Sequence, residues 1–286
     1  MRAFIVVLGL LGLSLPCWAK SSVWEVSKGE RSLLIGGTMH LLRPGDMPLP
    51  GEYDAALARA DRVVFETDMA TLEAPAFART LADSMRYAQG ATLEADLSSD
   101  VLDDVRAFAA QRGLAIDPLM HFEPAYLALA LTLQGYRAQG FTIAADQRFY
   151  ARARAEHKTI GALESPDEQL EALAAMNAVE PDQLIRQTLQ DIATLESDAD
   201  RMVRALRTGD LAALARLSAT MHEAYPEVYD ALLAGRNARW VPEIEALLGD
   251  GPSTLVLVGA LHLAGPDSVL ERLKARGYRV RYFTAS

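Results

Sequence analysis

The chain has 286 residues, a formal net charge of −10 at neutral pH and a single cysteine, Cys17. This length suffices for one substantial α/β domain or for two small domains. The acidic balance argues against nucleic acid or an anionic membrane surface as the main partner. With one cysteine, an intramolecular disulfide is excluded.

The first 19 residues have the pattern of a secretory signal peptide. Arg2 supplies a positive start, residues 3–15 are apolar, and Cys17 and Ala19 are small residues placed as at a cleavage site. The apolar run is too short to span a bilayer comfortably. We therefore expect export, cleavage after Ala19, and a periplasmic or secreted chain with neither a thiolate metal ligand nor a stable membrane anchor. A lipoprotein anchored on Cys17 is disfavoured by the preceding proline, and an uncleaved anchor is the minor alternative.

Residues 20–286 are predicted to form one domain, whose first half alternates strands and helices. In chain order the patterns predict a hairpin over 23–35 with its turn at 28–30, a loop over 43–51, a helix over 52–60, a strand over 62–66, helices over 74–87, 101–111 and 126–136, a helix over 145–156 and a strand over 159–163. The helix over 101–111 has Ser98 or Ser99 as its candidate N-cap.

The second half begins with a long helical stretch, roughly 167–249, broken near prolines and glycines. A strand over 254–258, a helix over 266–276 and a strand over 278–283 close the chain. Strands at both ends with helices between them indicate an α/β (α+β) fold, in which a mixed sheet is built from both chain ends. The helical stretch would be an insertion or cap over that sheet.

Two Gly-x-x-His motifs follow apolar runs near opposite ends of the domain. The first ends at His40 and the second at His262, and each run is typical of a strand buried on both faces. Ligands of α/β sheets bind beyond the carboxyl ends of strands. We therefore expect both imidazoles in one site, although either histidine alone is more often structural.

Glu66 follows a third apolar strand, so its carboxylate is expected at the same sheet edge. Two imidazoles and a carboxylate can hold a divalent metal with open positions for water and substrate. Such a metal would activate its water and polarise a carbonyl. Glu66 could instead act as a general base, or simply cap a helix or pair with an arginine.

Several better-known catalytic patterns do not occur in the sequence. His222 and Glu223 are followed by Ala-Tyr-Pro, so they do not form a His-Glu-x-x-His helix. A nucleophile elbow, a phosphate loop and a dinucleotide-binding glycine motif are also missing from the sequence.

The chain resembles the TraB/GumN family. The residues that carry the resemblance are GTMH at 37–40, VFE at 64–66, Asp146, GALE at 161–164, EQ at 168–169, RN at 236–237, VGALHL at 258–263 and KARGYRV at 274–280. The set covers nearly the whole chain after residue 20. It departs from the family pattern just before Asp146, where the stretch is Ile143-Ala144-Ala145 and a glycine is common.

The resemblance implies an α/β domain with a metal-dependent hydrolase site, because the family is related to the Tiki metalloproteases. It implies that His40, Glu66 and His262 form the catalytic centre and bind Mn, Co or Zn. Asp146, Glu164 and Arg236 would hold substrate or ligand groups, or only tie the helical part to the sheet. The wider EreA/ChaN-like fold group also includes metal-independent esterases and a haem-binding protein.

The sequence therefore predicts a periplasmic metallohydrolase, most plausibly a peptidase, that acts on a peptide or small molecule. Two alternatives stay open. One is a metal-independent, esterase-like hydrolase in which one histidine is the base and the other stabilises developing charge. The other is a binding protein for a peptide or haem, without turnover.

Overall fold

A computed structural model describes residues 20–88, 90–249 and 251–285. The predicted signal peptide, residues 1–19, lies outside the described residues. Within the described ranges, no helix combines the length and the apolar character that a membrane crossing requires.

Six strands form one mixed sheet. The strands of the protein are β1 (Val23–Lys28), β2 (Arg31–Thr38), β3 (Leu41–Leu42), β4 (Arg62–Phe65), β5 (Ile143–Ala144), β6 (Thr159–Ala162), β7 (Thr254–Gly259) and β8 (Arg279–Tyr282). Their order in the large sheet is β6-β4-β7-β2-β1-β8. The first four are parallel, whereas β1 is antiparallel to both β2 and β8. The predicted sheet from both chain ends, with flanking helices, is confirmed.

Twelve α-helices surround and extend this sheet in the described residues. They are α1 (Gly51–Arg59), α2 (Met69–Glu73), α3 (Pro75–Ser84), α4 (Ser99–Arg112), α5 (Pro124–Ala138), α6 (Ala145–Ala155), α7 (Pro166–Ala174), α8 (Pro181–Thr208), α9 (Leu211–Ala224), α10 (Pro226–Tyr229), α11 (Gly235–Leu247) and α12 (Val269–Ala275). A π-helical segment, Asp230–Ala234, joins α10 to α11.

The central strands are buried on both faces, as their continuous apolar runs predict. In β7, Leu255 and Leu257 pack into the core that α1, α6 and α8 cover. The alternate residues Val256 and Val258 pack into the opposite core, under α11 and α12. The period of two along the strand therefore produces a layer of helices on each face of the sheet.

A third apolar core lies within the helical part. It is built by α4, α5 and the first half of α8, where Leu184 and Ile185 are buried. The second half of the same helix buries Val203 and Leu206 in the sheet core. The 28-residue α8 thus connects the helical part to the sheet. The helical part also includes α4 and α5, which precede the stretch 167–249.

One predicted helix starts later than expected. The pattern predicts a helix from residue 266, whereas α12 begins at Val269. The Ser268 hydroxyl accepts a hydrogen bond from the backbone N–H of Glu271 and caps the helix there. Between β7 and this helix, residues Ala260–Leu263 form a 3-10 turn.

Candidate functional site

Three parallel strands end at the same edge of the sheet and bring the predicted residues together. Thr38, at the end of β2, is paired with Gly259, at the end of β7. His40, Glu66 and His262 all follow such strand ends and line one cavity of about 360 Å³. The expectation that both imidazoles share a site is met in the geometry, and their roles in catalysis and metal binding stay predictions.

Glu66 is held at the bottom of the cavity by two donors. Its Oε1 atom accepts a 2.6 Å hydrogen bond from the backbone N–H of Gly259, and its Oε2 atom accepts one of 2.8 Å from Arg236. Burial alone would raise the pKa of Glu66, but interactions with His262, Arg236 and His40 and the Gly259 N–H lower it to about 2. Glu66 is therefore a carboxylate at neutral pH.

Steric contacts explain why the second motif has a glycine, Gly259. A Cβ atom on Gly259 would lie 3.2 Å from Glu66 Oε1 and 3.4 Å from the His262 ring. It would also lie 3.8 Å from His40 Nε2. The three predicted residues therefore converge over a backbone position that has no side chain.

His262 is buried and its tautomer follows from its neighbour. The Asn237 amide nitrogen donates to the carbonyl of Asp267, so its Oδ1 atom faces the ring, 2.7 Å from His262 Nδ1. Nδ1 must then carry the proton, and Nε2 is an acceptor. Burial lowers the pKa of His262 most strongly. The Glu66 carboxylate raises this pKa, whereas Arg236 and His40 lower it further, and the result is a pKa of about 3. The ring is neutral at pH 7.

His40 is the imidazole that solvent reaches. Its Nδ1 atom lies 2.9 Å from the Asp146 carboxylate, and 68% of its side-chain surface is exposed. The small β3–β5 ladder aligns Leu41 with Ala144 and so places His40 beside Asp146. Desolvation by the surrounding protein lowers the pKa of His40. The hydrogen bond to Asp146 and the charges of Glu66 and Asp146 outweigh it and raise the pKa to about 9.

Arg236, on α11, is fully occupied by its partners. It donates from Nε and Nη2 to both oxygens of Glu164, at 3.0 and 2.6 Å, and from Nη2 to Glu66. Its Nη1 atom lies 3.2 Å from the carbonyl of Leu232 and 3.3 Å from His262 Nε2. Because a guanidinium has five N–H groups, this side chain has none left for a ligand.

The three residues that the resemblance added have different positions. Arg236 lines the cavity, whereas Asp146 and Glu164 are outside its lining. Glu164 lies behind Arg236, where it also accepts a 3.0 Å hydrogen bond from the indole of Trp240. Its observed contacts connect the end of β6 to α11. Asp146 contacts the site through His40.

Asn237 and the apolar walls of the cavity are not among the residues predicted from the sequence. Asn237 follows Arg236 in the quoted RN pair, and that pair was the available signal. The walls come from segments that lie far apart in the sequence, so no local pattern could reveal them. Their large apolar side chains are Met39, Leu41, Tyr136, Leu173, Met202, Met221, Leu232, Leu233 and Leu261.

The arrangement does not fit the predicted metal ion. Among the residues that the structure describes, no three His, Cys, Asp or Glu side chains are placed to hold a metal together. Arg236 lies 2.8 Å from Glu66 and 3.3 Å from His262 Nε2, so a cationic group already engages two of the three expected ligands. The predicted metal would require Arg236 to move.

The model of the TraB/PrgY/gumN family matches residues 22–282. The chain belongs to this family. The match includes both Gly-x-x-His motifs and every predicted site residue. The resemblance noted from the motifs is thereby confirmed.

Two curated TraB/PrgY/gumN-type relatives are similar to the chain over most of its length. The uncharacterized protein YbaP of Escherichia coli (strain K12) is 25% identical over 252 residues, which are 86% of this chain and 89% of the relative. The uncharacterized protein YbaP of Shigella flexneri is similar to the same extent. No solved structure matches the chain significantly.

Proposed function

We propose that this family member is a periplasmic hydrolase that cleaves a peptide or ester bond in the cavity of His40, Glu66 and His262. One observation carries the proposal: a solvent-accessible imidazole faces a buried carboxylate, guanidinium and neutral imidazole within one cavity. Acyl transfer to water needs a proton acceptor that can reach the water, and fixed charges around the reacting carbonyl. The cavity contains both.

In this proposal His40 handles the proton. Its Nδ1–H group donates to Asp146, so Nε2 can accept a proton from a water molecule once the ring is neutral, which its pKa of about 9 places at alkaline pH. The resulting hydroxide attacks the substrate carbonyl, and His40 then passes the proton to the leaving group. Asp146 is a positioning residue, which fixes the ring and stabilises its protonated form.

The buried groups supply a fixed electrostatic environment. Arg236 brings the positive charge, while Glu66 and Glu164 hold it in place and His262 accepts one of its N–H groups. Such a preorganised arrangement holds Glu66 and His262 in place without rearrangement during the reaction. Glu66 also has unused lone pairs, with which it can orient the attacking water.

The metal-dependent peptidase predicted from the sequence is the second candidate. The observation that favours it is the outer contact of each imidazole, since Asp146 and Asn237 each engage Nδ1 of their ring and leave Nε2 on the cavity side. Histidine ligands of metals commonly have such partners. Because the present position of Arg236 does not fit a metal ion, we derive no step through one.

The test compares His40→Ala with His157→Ala in the purified protein. Chromogenic esters and a peptide library are assayed with EDTA and with added Mn, Co or Zn, and metal content is measured by elemental analysis. We expect turnover that survives EDTA and falls about 100-fold or more in His40→Ala. His157, exposed at the end of α6, is the matched control and should have no effect.

The other outcomes separate the alternatives. Turnover that EDTA abolishes, with stoichiometric metal that His40→Ala loses, would support the metal-dependent peptidase. Saturable binding of a peptide or haem without any turnover would contradict both hydrolase proposals and leave the binding protein.

A further inference from the structure

We infer that the cavity selects neutral substrates that carry a flexible aliphatic group next to the scissile carbonyl. This inference rests on the proposed hydrolase for the chemical step and concerns the substrate class of the same site. The aliphatic group could belong to the acyl part of an ester or to an aliphatic side chain of a peptide. Both sources would present the same aliphatic chain to the apolar walls of the cavity.

The charged residues of the cavity are already paired with one another. All five N–H groups of Arg236 have acceptors, and both oxygens of Glu66 have donors. A carboxylate on the substrate would find no free N–H group on Arg236, and an ammonium would have to share Glu66 with Arg236 and the Gly259 N–H, so burial of either charge is costly. Among the charged side chains of the lining, only His40 offers a ring nitrogen to a ligand, and the Asp146 carboxylate 2.9 Å from that ring balances its positive charge. The charged residues of the cavity therefore favour a neutral ligand.

The remaining walls of the cavity are apolar and adaptable. Met39 in the loop after β2, Met202 on α8 and Met221 on α9 line the cavity together with leucines and Tyr136. Methionine side chains are unbranched and polarizable, so they adjust to ligands of different shape. A volume of about 360 Å³ lies within the usual range of small-molecule sites. An aliphatic chain would replace water along these walls.

The size of the expected preference follows from the hydrophobic effect. Burial of one methylene group favours binding enough to change an equilibrium constant roughly fourfold. We therefore expect both affinity and kcat/KM to rise about fourfold for each added methylene until the cavity is full. Addition of a charge to the same chain should remove the gain.

The experiment measures binding and turnover separately. Binding is followed by displacement of the neutral fluorophore N-phenyl-1-naphthylamine with straight-chain amides from acetamide to octanamide. Turnover is followed with p-nitrophenyl esters of the same chain lengths and with p-nitroanilides of alanine, leucine, lysine and glutamate blocked at their amino groups. The ester and anilide series distinguish an acyl chain from a peptide side chain as the natural source.

Met221→Trp tests the location, with Leu217→Trp as the matched control. Both residues are partly buried on α9, one helical turn apart, but only Met221 lines this cavity. Leu217 faces the groove between α8 and α9. We expect Met221→Trp to lower the chain length at which added methylenes stop improving binding and turnover. Leu217→Trp should leave that chain length unchanged.

The outcomes keep the two proposals apart. Chain-length-dependent amide binding without turnover would support this inference and contradict the hydrolase. Turnover with no dependence on chain length, or with preference for the lysine or glutamate anilide, would overturn the inference and leave the hydrolase standing. Equal loss in the two tryptophan variants would also overturn it, as would a failure to bind any of the amides.

Discussion

At the scale of single residues, the site depends on a backbone position without a side chain. Gly259 donates its N–H to Glu66 at 2.6 Å and leaves room for the carboxylate and the His262 ring. The first motif uses its glycine differently, since a Cβ on Gly37 would lie 3.2 Å from the Cα atom of Ala260. The two similar motifs therefore serve two different close approaches.

Gly259→Ala should disturb the site without unfolding the protein. The new Cβ would lie 3.2 Å from Glu66 Oε1, so the carboxylate must shift by a few tenths of an ångström. We expect kcat/KM to fall about tenfold, because small misplacements of reacting groups are costly. The measurement is ester hydrolysis, with circular dichroism as the check on folding.

Gly45→Ala is the control for that substitution, because no atom lies within 4 Å of the position that its Cβ would take. Full activity in Gly259→Ala would mean that the position of Glu66 does not matter for turnover.

At the scale of elements, α11 links the site to the sheet. Arg236 and Asn237 start this helix just after the π-helical segment, and Trp240 follows one turn later. All three are buried and contact site residues or Glu164 at the end of β6. The helix therefore fixes the guanidinium and the tautomer of His262 through one rigid element.

Glu164→Gln should weaken this link. The Glu164 side chain is 1% exposed and neutralises a buried arginine, so loss of its charge leaves Arg236 with Glu66 as its single carboxylate partner. We expect the free energy of unfolding to fall by about 3 kcal/mol, as measured by urea denaturation. Activity should fall as well, because Arg236 is no longer held on both sides.

The control is Glu94→Gln, in an exposed pair with Arg106. Exposed ion pairs contribute roughly 0–1 kcal/mol, so this variant should be nearly as stable as the parent. Equal effects of the two substitutions would contradict the assigned role of Glu164.

At the scale of the whole molecule, stability should depend on pH through the buried site. The pKa of His262 is lowered from 6.5 to about 3 in the fold, so the unfolded chain takes up this proton first as the pH falls. Stability from this group is fully present above pH 6.5 and is lost between about pH 6.5 and 3. Glu66, with its pKa lowered from 4.5 to about 2, adds a loss that begins only below pH 4.5.

His262→Gln should flatten this dependence between pH 6.5 and 4.5, where Glu66 does not yet contribute. Urea denaturation at several pH values measures the effect, and the exposed His157→Gln is the matched control. His40 acts in the opposite direction: its raised pKa means that its stabilisation is lost as the pH rises from 6.5 to about 9. An unchanged pH profile in His262→Gln would contradict a buried, neutral ring.

The fold could be predicted largely from local patterns. The hairpin turn near Gly29 and the apolar runs of β2, β4 and β7 specify strands, because their residues must be buried on both faces. Residues 266–268 were assigned to a helix by pattern, yet the Ser268 cap delays its start. Caps and turns involve few atoms, so helix ends are harder to predict than helices.

The sequence by itself determined the family, the α/β class and the three residues that end the parallel strands. It did so because burial periodicity and short motifs are local properties of the chain. Only the tertiary structure decided that Arg236 contacts both Glu66 and His262, that Asn237 sets the tautomer of His262, and that three methionines far apart in sequence line one cavity. These features depend on the packing of segments far apart in sequence, and no local period encodes the distance between two side chains.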